Sequence, residues 1–239
     1  MLVRLRERIS RRLADERGTT MVEVLVATTT GIVVLAGLTV VIVVTLHSNA
    51  RVSARIDATQ RARLVVTKVM QQLHSACVAP KLAPIQATSS GTMLKFFHAS
   101  PGEGNAVAPL PTMTEISLAG GVLTQTDRRA VGGTAPNWTW AGTTTSKELL
   151  SGVAPVAPAS GIFSYYASSN GSTTPTAQTT PLSAASALET VQVQVSLSAS
   201  PGTPTAIKDP GAATPIRDGV TLRLTPPSFN EAAVSLPCQ

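Results

Sequence analysis

The hydrophobic pattern of the chain begins with one long apolar run close to the N-terminus. Residues 21–46 are apolar or small except for Glu23, the single charged residue among them. The 23 residues from Val24 to Leu46 would form roughly 35 Å of helix, which is enough to cross the hydrocarbon core of a bilayer. The apolar part of a cleaved secretory signal is shorter and ends at small residues, whereas this run ends in Leu46-His47-Ser48-Asn49. The pattern therefore predicts a retained transmembrane helix.

The next stretch is amphipathic and continues the run without a helix-breaking residue. No proline occurs before Pro80. Apolar residues recur at three- and four-residue steps, which places them on one helix face: Val66, Val69, Met70, Leu73 and Cys77. Basic residues occupy other positions: Arg51, Arg55, Arg61, Arg63 and Lys68. We predict one helix from near Thr20 to Ala79, with the apolar stripe of its outer half packed against the rest of the chain.

Beyond Pro84 the pattern changes to short runs that alternate apolar and polar residues, as strands of a half-buried sheet do. Six runs are predicted as strands: Thr92–Phe97, Thr114–Leu118, Val122–Thr126, Gly161–Ala167, Val191–Leu197 and Val220–Leu224. The fifth alternates most regularly and is predicted at the centre of the sheet, over the helix. Ala119-Gly120-Gly121 predicts a tight hairpin turn, because adjacent glycines tolerate positive φ angles.

Three stretches rich in Thr, Ser, Pro and Gly are predicted as loops: Ala130–Ser146, Asn170–Ala187 and Ala199–Pro215. About 155 residues of the 239 lie beyond the helix, a length that suits one domain. The predicted fold class is α+β. A long N-terminal helix, with a transmembrane inner half and an amphipathic outer half, packs on an antiparallel β-sheet head.

Charge predicts how the helix is oriented in the membrane. The net charge is +6, and six arginines against three acidic residues give the first 18 residues +3. Basic residues that flank an apolar span hold that flank in the cytoplasm, so the head is predicted to be extracytoplasmic. Nucleic-acid binding is not expected, because aromatics make up only 3% of the chain and the basic residues of the head are scattered.

Two cysteines, Cys77 and Cys238, lie outside the apolar span. In an oxidising extracytoplasmic setting such a pair tends to close. We predict one disulfide that joins the end of the long helix to the C-terminal tail. The alternative is two separate thiols, with Cys77 a small buried apolar residue and Cys238 free or paired with another chain.

The segment Arg17-Gly18-Thr19-Thr20-Met21-Val22-Glu23 resembles the type IV prepilin signature. The resemblance implies that a prepilin peptidase cuts after Gly18 and that the new N-terminal residue, Thr19, is methylated. Thr19 departs from the usual Phe or Met. Glu23 becomes the fifth mature residue, and its carboxylate meets the amine of a neighbouring subunit during assembly. In the alternative role, Glu23 lies near the membrane interface, and its negative charge stabilises the N-terminus of the helix through the helix dipole.

With this resemblance the chain divides into four parts. A basic leader, 1–18, is cleaved; residues 19–47 are the transmembrane half of the helix, 48–80 its amphipathic outer half, and 81–239 a β-rich head. A looser resemblance covers Thr114 to Leu224 and is to the heads of large minor pilins and of J-type minor pseudopilins of type II secretion. Glu23 argues against the K-type tip pseudopilin, in which that position departs from Glu.

The two resemblances imply a minor pilin-like subunit of the cytoplasmic membrane, which would be extracted into a surface or periplasmic filament. Its partners would be other pilin-like subunits, the prepilin peptidase and an assembly platform in the inner or cytoplasmic membrane. Adhesion, DNA uptake, motility and secretion are not distinguished. The rival hypothesis is a signal-anchored surface protein whose β-rich head binds a ligand and never enters a filament.

No enzymatic motif is present: the sequence has no GxSxG, HExxH or Walker-type loop. His47, His74 and His98 are not at metal-ligand spacing, and each is predicted at the surface. Trp138 and Trp140 are predicted to cap the core, with a sticky surface contact as the alternative. We therefore predict no catalytic residues, no cofactor and no metal site.

Overall fold

The computed structural model of the chain describes residues 20–76, 83–99, 110–134, 137–168, 174–201 and 214–222. The chain forms two compact units, Met1–Val52 and Ser53–Gln239. In the first unit the described residues form a single helical stretch whose side chains are all exposed. The second unit contains the outer part of the same helix and two antiparallel sheets. The fold class is therefore α+β, as predicted.

The long helix, α1, spans Met21–His74. Its start agrees with the predicted position near Thr20, but the predicted end at Ala79 is wrong. Ser75 forms a turn, and Ala76 pairs with His98 in an isolated antiparallel bridge. The helix ends early because the backbone of Ala76 bonds to a strand, a long-range contact that local periodicity does not report.

The first sheet contains five strands, and all its pairings are antiparallel. Its strands are β1 (Met93–Ala99), β2 (Pro111–Ala119), β3 (Val122–Thr134), β4 (Asn137–Trp140) and β5 (Thr145–Ser151). The hairpin between β2 and β3 is confirmed, since Ala119 pairs with Val122 and both intervening glycines have positive φ. β3 pairs with β2 on one edge, while β4 and β5 share its other edge.

The second sheet also has five antiparallel strands. They are β6 (Val153–Pro155), β7 (Phe163–Ala167), β8 (Thr176–Ala177), β9 (Thr190–Ala199) and β10 (Thr214–Thr221). The central place predicted for Val191–Leu197 is confirmed, because β9 pairs with β10 on one edge and with β6 and β7 on the other. Of the predicted apolar face, Val193, Val195 and Leu197 are buried, and Ala199 continues the series, but Val191 is only half-buried.

All three predicted loops contain regular structure; the third, Ala199–Pro215, begins at the last residue of β9 and ends within β10, and most of it lies outside the described residues. Ala130–Ser146 holds the end of β3, all of β4 and the start of β5. Asn170–Ala187 holds β8 and the start of a short helix, α2 (Ala184–Glu189), which Ser183 caps by accepting a hydrogen bond from the Ser186 amide. The last predicted strand is misplaced, since β10 ends at Thr221. The polar residues of the predicted loops form strands because neighbouring strands supply hydrogen-bond partners for their backbone. Amino-acid composition does not reveal these partners.

One apolar core joins α1 to both sheets. The buried residues of α1 all lie in its outer part: Ala58, Ala62, Val66, Val69, Met70 and Leu73. All but Ala58 belong to one cluster with residues of both sheets, among them Phe96, Ile116 and Val193. The predicted apolar stripe of the outer half is thus confirmed for Val66 to Leu73, and Cys77 lies outside the described residues.

The two sheets meet at a close backbone approach between Gly91 and Gly161. The amides of Ile162 and Phe163 donate to the Gly91 carbonyl at 2.7 and 3.0 Å. A Cβ on Gly161 would lie 2.5 Å from backbone atoms of Gly91, and a Cβ on Gly91 would lie 3.2 Å from the Gly161 Cα. The junction therefore excludes a side chain at Gly161 and leaves little room for one at Gly91.

Tyr165 adds a polar tie beside this junction. Its side chain is fully buried, and its hydroxyl donates to the carbonyls of Ser90 and Met93 at 3.1 and 3.0 Å. Burial raises the pKa of Tyr165 above its ordinary value, because the phenolate would lose its solvation. The neutral phenol is therefore the form that the folded head holds.

Alkaline pH is expected to destabilise the head through Tyr165. Below pH ~10 the phenol is neutral in both states, so its contribution is fully present. Above that pH the unfolded chain releases the proton while the folded head keeps it, and stability falls. Urea unfolding of detergent-solubilised protein, followed by tryptophan fluorescence, should therefore show wild type losing about 1 kcal/mol more than Tyr165→Phe between pH 10 and 11.

At neutral pH the Tyr165→Phe variant should be about 1 kcal/mol less stable than wild type, because it lacks the hydroxyl that donates to the two carbonyls. Tyr166→Phe is the matched control, since Tyr166 is half-buried and bonds Gln194 instead. The control should keep the alkaline loss. An identical alkaline loss in Tyr165→Phe would contradict the assignment.

Candidate functional site

The first candidate site is the start of α1. Thr20 caps the helix: its Oγ1 accepts a hydrogen bond from the Glu23 amide at 3.3 Å, and its carbonyl accepts from the amides of Glu23 and Val24. Glu23 lies in the first turn, where a carboxylate interacts favourably with the helix dipole. Thr-x-x-Glu at this position is the sequence of a capping box. The predicted cleavage site, Gly18 and Thr19, lies outside the described residues.

The polar side chains of the apolar run are otherwise satisfied inside the helix. Five threonines donate their hydroxyls to carbonyls three or four residues earlier, at 2.7–3.0 Å: Thr28, Thr29, Thr30, Thr39 and Thr45. Such internal bonds remove the need for water, which suits a helix in an apolar surrounding.

Glu23 is the exception in this run. It is exposed, and within the described parts of the chain its carboxylate has no ion-pair partner. The apolar side chains around it are also exposed: Met21 at 88%, Val22 at 70% and Leu25 at 58%. A lone acidic group thus stands on an uncovered apolar surface and can accept a cation from another molecule.

α1 is the one described helix that is long and apolar enough to cross a membrane. Its most apolar 18-residue stretch has a mean hydropathy of 2.4, and none of that stretch is buried. The two cysteines predicted to pair, Cys77 and Cys238, lie outside the described residues, so the disulfide stays a prediction.

A second candidate site is a polar groove of about 420 Å³ on the first sheet. It is lined by His98, Thr112, Asp127, Arg129, Val131, Ala141, Thr143 and Thr145. Asp127 is held in place by neutral donors: Thr114 Oγ1 donates to its Oδ1 at 2.6 Å, and Gln125 Nε2 donates to both oxygens at 2.9 and 2.7 Å. The carboxylate is therefore oriented before any ligand arrives.

The groove does not have the arrangement of an activated nucleophile. His98 Nε2 lies 3.0 Å from Thr114 Oγ1, but the Thr114 proton points to Asp127, so the hydroxyl accepts from the imidazole. Thr114 is also fully buried. A substrate cannot reach this hydroxyl, and the imidazole is not placed to remove its proton. What the groove can do is bind hydrogen-bonding groups.

The surface position predicted for His98 is wrong, because its side chain is buried. His47 and His74 are exposed, as predicted. Sequence reasoning also missed Gln125 and Asp127. For His98, alternation along β1 could have indicated a buried position, because His98 continues the buried series Leu94 and Phe96. Within the described parts of the chain, no three His, Cys, Asp or Glu side chains lie close enough to hold a metal ion.

The tryptophans lie on β4 rather than in a loop. They form a cluster with Phe97: the Phe97 ring stacks on Trp140 with centroids 5.4 Å apart and meets Trp138 edge-on at 5.7 Å. Trp138 is buried and Trp140 half-buried. The prediction that they cap the core is confirmed in part: both pack in an apolar cluster, but it is a small second core with Ala130 rather than the main one.

Comparison of the chain with protein-family models, with curated proteins and with solved structures found no match.

Proposed function

We propose that this protein is a minor pilin-like or pseudopilin-like subunit. In this proposal a prepilin peptidase processes it, and it takes part in assembling or priming a type IV pilus-like or type II secretion filament. The observation that carries the proposal is Glu23. It is the one charged side chain of the exposed apolar run 21–46, and the described residues offer it no ionic partner.

The energetic argument concerns what happens when such helices come together. An acidic side chain in the middle of a bilayer costs about 2.5–3.5 kcal/mol on insertion scales. Its interaction with the helix dipole returns only about 0.3–1 kcal/mol. A carboxylate that leaves the interface to pack among apolar helices therefore needs a cation. Cleavage after Gly18 would supply one, because it creates a basic α-amino group at the N-terminus of each subunit. In a neighbouring subunit this amine lies close to the start of the helix, as Glu23 does.

The architecture is compatible with this role. The first part of α1 is apolar and uncovered, whereas its outer part packs on the antiparallel sheets. Such a chain can hold its head outside the membrane while the uncovered apolar surface of the helix contacts other subunits. In the proposal the N-terminus is cytoplasmic, the head is extracytoplasmic, and the partners are other pilin-like subunits and a membrane assembly platform.

The first test is the identity of the N-terminus. Mass spectrometry of protein extracted from membranes that contain a prepilin peptidase should show a chain beginning at Thr19, 18 residues shorter than the precursor. Gly18→Val is expected to leave the precursor intact, because the peptidase site needs a minimal side chain beside the scissile bond. Leu13→Val, in the same leader, is the matched control and should be cleaved normally. An intact Met1 in the wild-type protein would contradict the proposal.

A second candidate function rests on the polar groove of the head. Its oriented Asp127, with Arg129 and several threonines along the walls, could bind a small hydrogen-bonding ligand. The protein would then be a signal-anchored surface protein that does not enter a filament. The same mass measurement separates the two candidates, since this one predicts a membrane-bound chain that keeps Met1.

A further inference from the structure

The polar groove on the first sheet contains a hydroxyl group that the chain leaves without a partner. Thr112, on β2, lines the groove, and only 6% of this residue is exposed. Within the described parts of the chain, its Oγ1 makes no hydrogen bond, yet the atom is not fully enclosed and so opens on the groove. A buried hydroxyl without a partner costs free energy, and a bound ligand that pairs with it recovers that cost.

Asp127, on β3, supplies a second fixed group in the groove. Its carboxylate accepts three hydrogen bonds from the neutral side chains of Thr114 and Gln125. Among the residues that the structure describes, no cation lies within ion-pair distance of it. A carboxylate has about four acceptor positions and no donor. Asp127 therefore keeps one oriented acceptor position for a ligand that donates a hydrogen bond.

The remaining walls of the groove are partly apolar and carry no excess charge. Val131 is 61% exposed, and Ala141 is half-buried. The lining contains one acidic and one basic side chain, Asp127 and Arg129. His98 and Arg129 already make interactions within the chain, and neither is needed as a ligand contact. A ligand that matches these walls is neutral, donates hydrogen bonds and has a nonpolar face.

We propose that the polar groove binds the ring of a neutral sugar. Each hydroxyl group of a sugar can donate to Asp127 or pair with Thr112, and the C–H bonds of the ring form a nonpolar face for Val131. The groove, at about 420 Å³, lies within the range of small-molecule pockets, about 300–1,000 Å³. The inference rests on the ligand-binding role proposed for the groove and names the ligand. It holds whether or not the chain enters a filament.

A peptide is the alternative ligand for a groove in a β-rich head. Extended peptides bind a sheet by pairing with the backbone of an open strand edge. The polar groove lies instead on the face of the sheet, because Thr112 of β2 pairs with Arg129 of β3, and Asp127 of β3 pairs with Thr145 of β5. Since β3 has a partner strand on both sides here, the groove offers side chains rather than a backbone edge, which favours the sugar.

The test measures binding of the full-length protein to immobilised neutral oligosaccharides of glucose, galactose, mannose and N-acetylglucosamine, with sialylated and sulfated glycans as charged probes. A polyoxyethylene detergent is used, because sugar-based detergents would compete. Wild type should bind at least one neutral glycan, and Asp127→Asn should lower the affinity at least tenfold, since a hydrogen bond to a charged group is the stronger kind. Competition by a free hexose or only by longer chains supports the inference in either case and identifies the source of the ring.

Thr112→Val is the sharper variant, because it removes the hydroxyl and keeps the shape of the side chain. It should lower the affinity for the same glycan about fivefold. The stability of the head, measured by tryptophan fluorescence during urea unfolding, should not fall, since the hydroxyl has no partner within the described chain to lose. A hydroxyl with a merely structural role would give the opposite pattern.

Thr126→Val and Asp218→Asn are the matched controls. Thr126 is the neighbour of Asp127 on β3 but lies on the opposite face of the sheet, and Asp218 is an exposed carboxylate on β10. Both variants should bind as wild type does.

Three results would overturn the inference. They are no neutral glycan bound by wild type at millimolar concentration, binding of charged glycans only, and binding that Asp127→Asn and Thr112→Val both leave unchanged. The N-terminus is determined separately from the mass of the chain. A failure on the glycans therefore leaves the choice between the two candidate functions unaffected.

Discussion

Replacing Glu23 with Gln is expected to lower recovery of the protein in a sheared filament fraction by about a hundredfold or more, with membrane insertion unchanged. The reason is the cost of leaving one member of a buried ion pair alone, about 3–5 kcal/mol, at about 1.4 kcal/mol per tenfold change in binding. Insertion should not suffer, because a neutral side chain enters lipid more easily than a carboxylate. Immunoblots of carbonate-washed membranes measure insertion, and immunoblots of sheared filaments measure recovery in the filament.

Gln separates the two roles of this residue. The Thr20 hydroxyl already caps the Glu23 amide, and Gln serves at that position of a capping box as Glu does. A side chain that acts only on the helix end would therefore lose only its weak charge–dipole interaction on replacement by Gln, and assembly should be close to wild type. Glu23→Asp keeps the charge and should retain much of the assembly, whereas Glu23→Val should fail as Gln does. Wild-type recovery of Glu23→Gln would assign the carboxylate to the helix end and sink the pairing role.

Replacing Gly161 with Ala is expected to destabilise the head by about 3 kcal/mol, at the upper end of the usual cost of overpacking. The added Cβ would lie 2.5 Å from the backbone of Gly91. Backbone cannot move aside as a side-chain tip can, so the two sheets must separate or shift. Both tryptophans of the chain lie on β4, in the head, and their fluorescence during urea unfolding in detergent reports the stability of the head directly.

Two glycines provide a graded comparison. Gly91→Ala approaches Gly161 from the other side with a contact of 3.2 Å, so it should cost less than Gly161→Ala. A Cβ on Gly142 would meet no atom within 4 Å, and Gly142→Ala should be close to neutral. If Gly161→Ala proved as stable as Gly142→Ala, the sheets would not depend on this junction.

The sequence by itself was sufficient where structure is local and periodic. The apolar run and the stripe at Val66 to Leu73 predicted α1, because the spacing of apolar residues indicates both the helix and the face that it buries. Adjacent glycines predicted the β2–β3 hairpin for the same reason, since positive φ is a property of the residue type. Strict alternation placed β9 at the centre of its sheet.

The candidate sites divide in the same way. Glu23 could be singled out from the sequence, because a lone charge in an apolar run stands out without any coordinates. The groove could not, since His98, Thr114 and Asp127 belong to three strands and come together only through the registers of β1 with β2 and of β2 with β3. A surface position was predicted for His98, but the pairing of β1 with β2 buries its side chain, and Thr114 is buried beside it.

Pairing between distant segments also decided the remaining features. Ala76 stops α1 by bonding to β1, β3 extends to Thr134 because β4 supplies its edge partner, and Gly91 meets Gly161 across 70 positions of sequence. Each of these features depends on which backbone donor or acceptor lies next to the segment in the folded chain. A buried backbone group must form a hydrogen bond, and tertiary structure determines which group is its partner. Residue type and spacing thus determined the helix, the turn and the charge at its start, whereas the ends, edges and junctions were set by tertiary contacts.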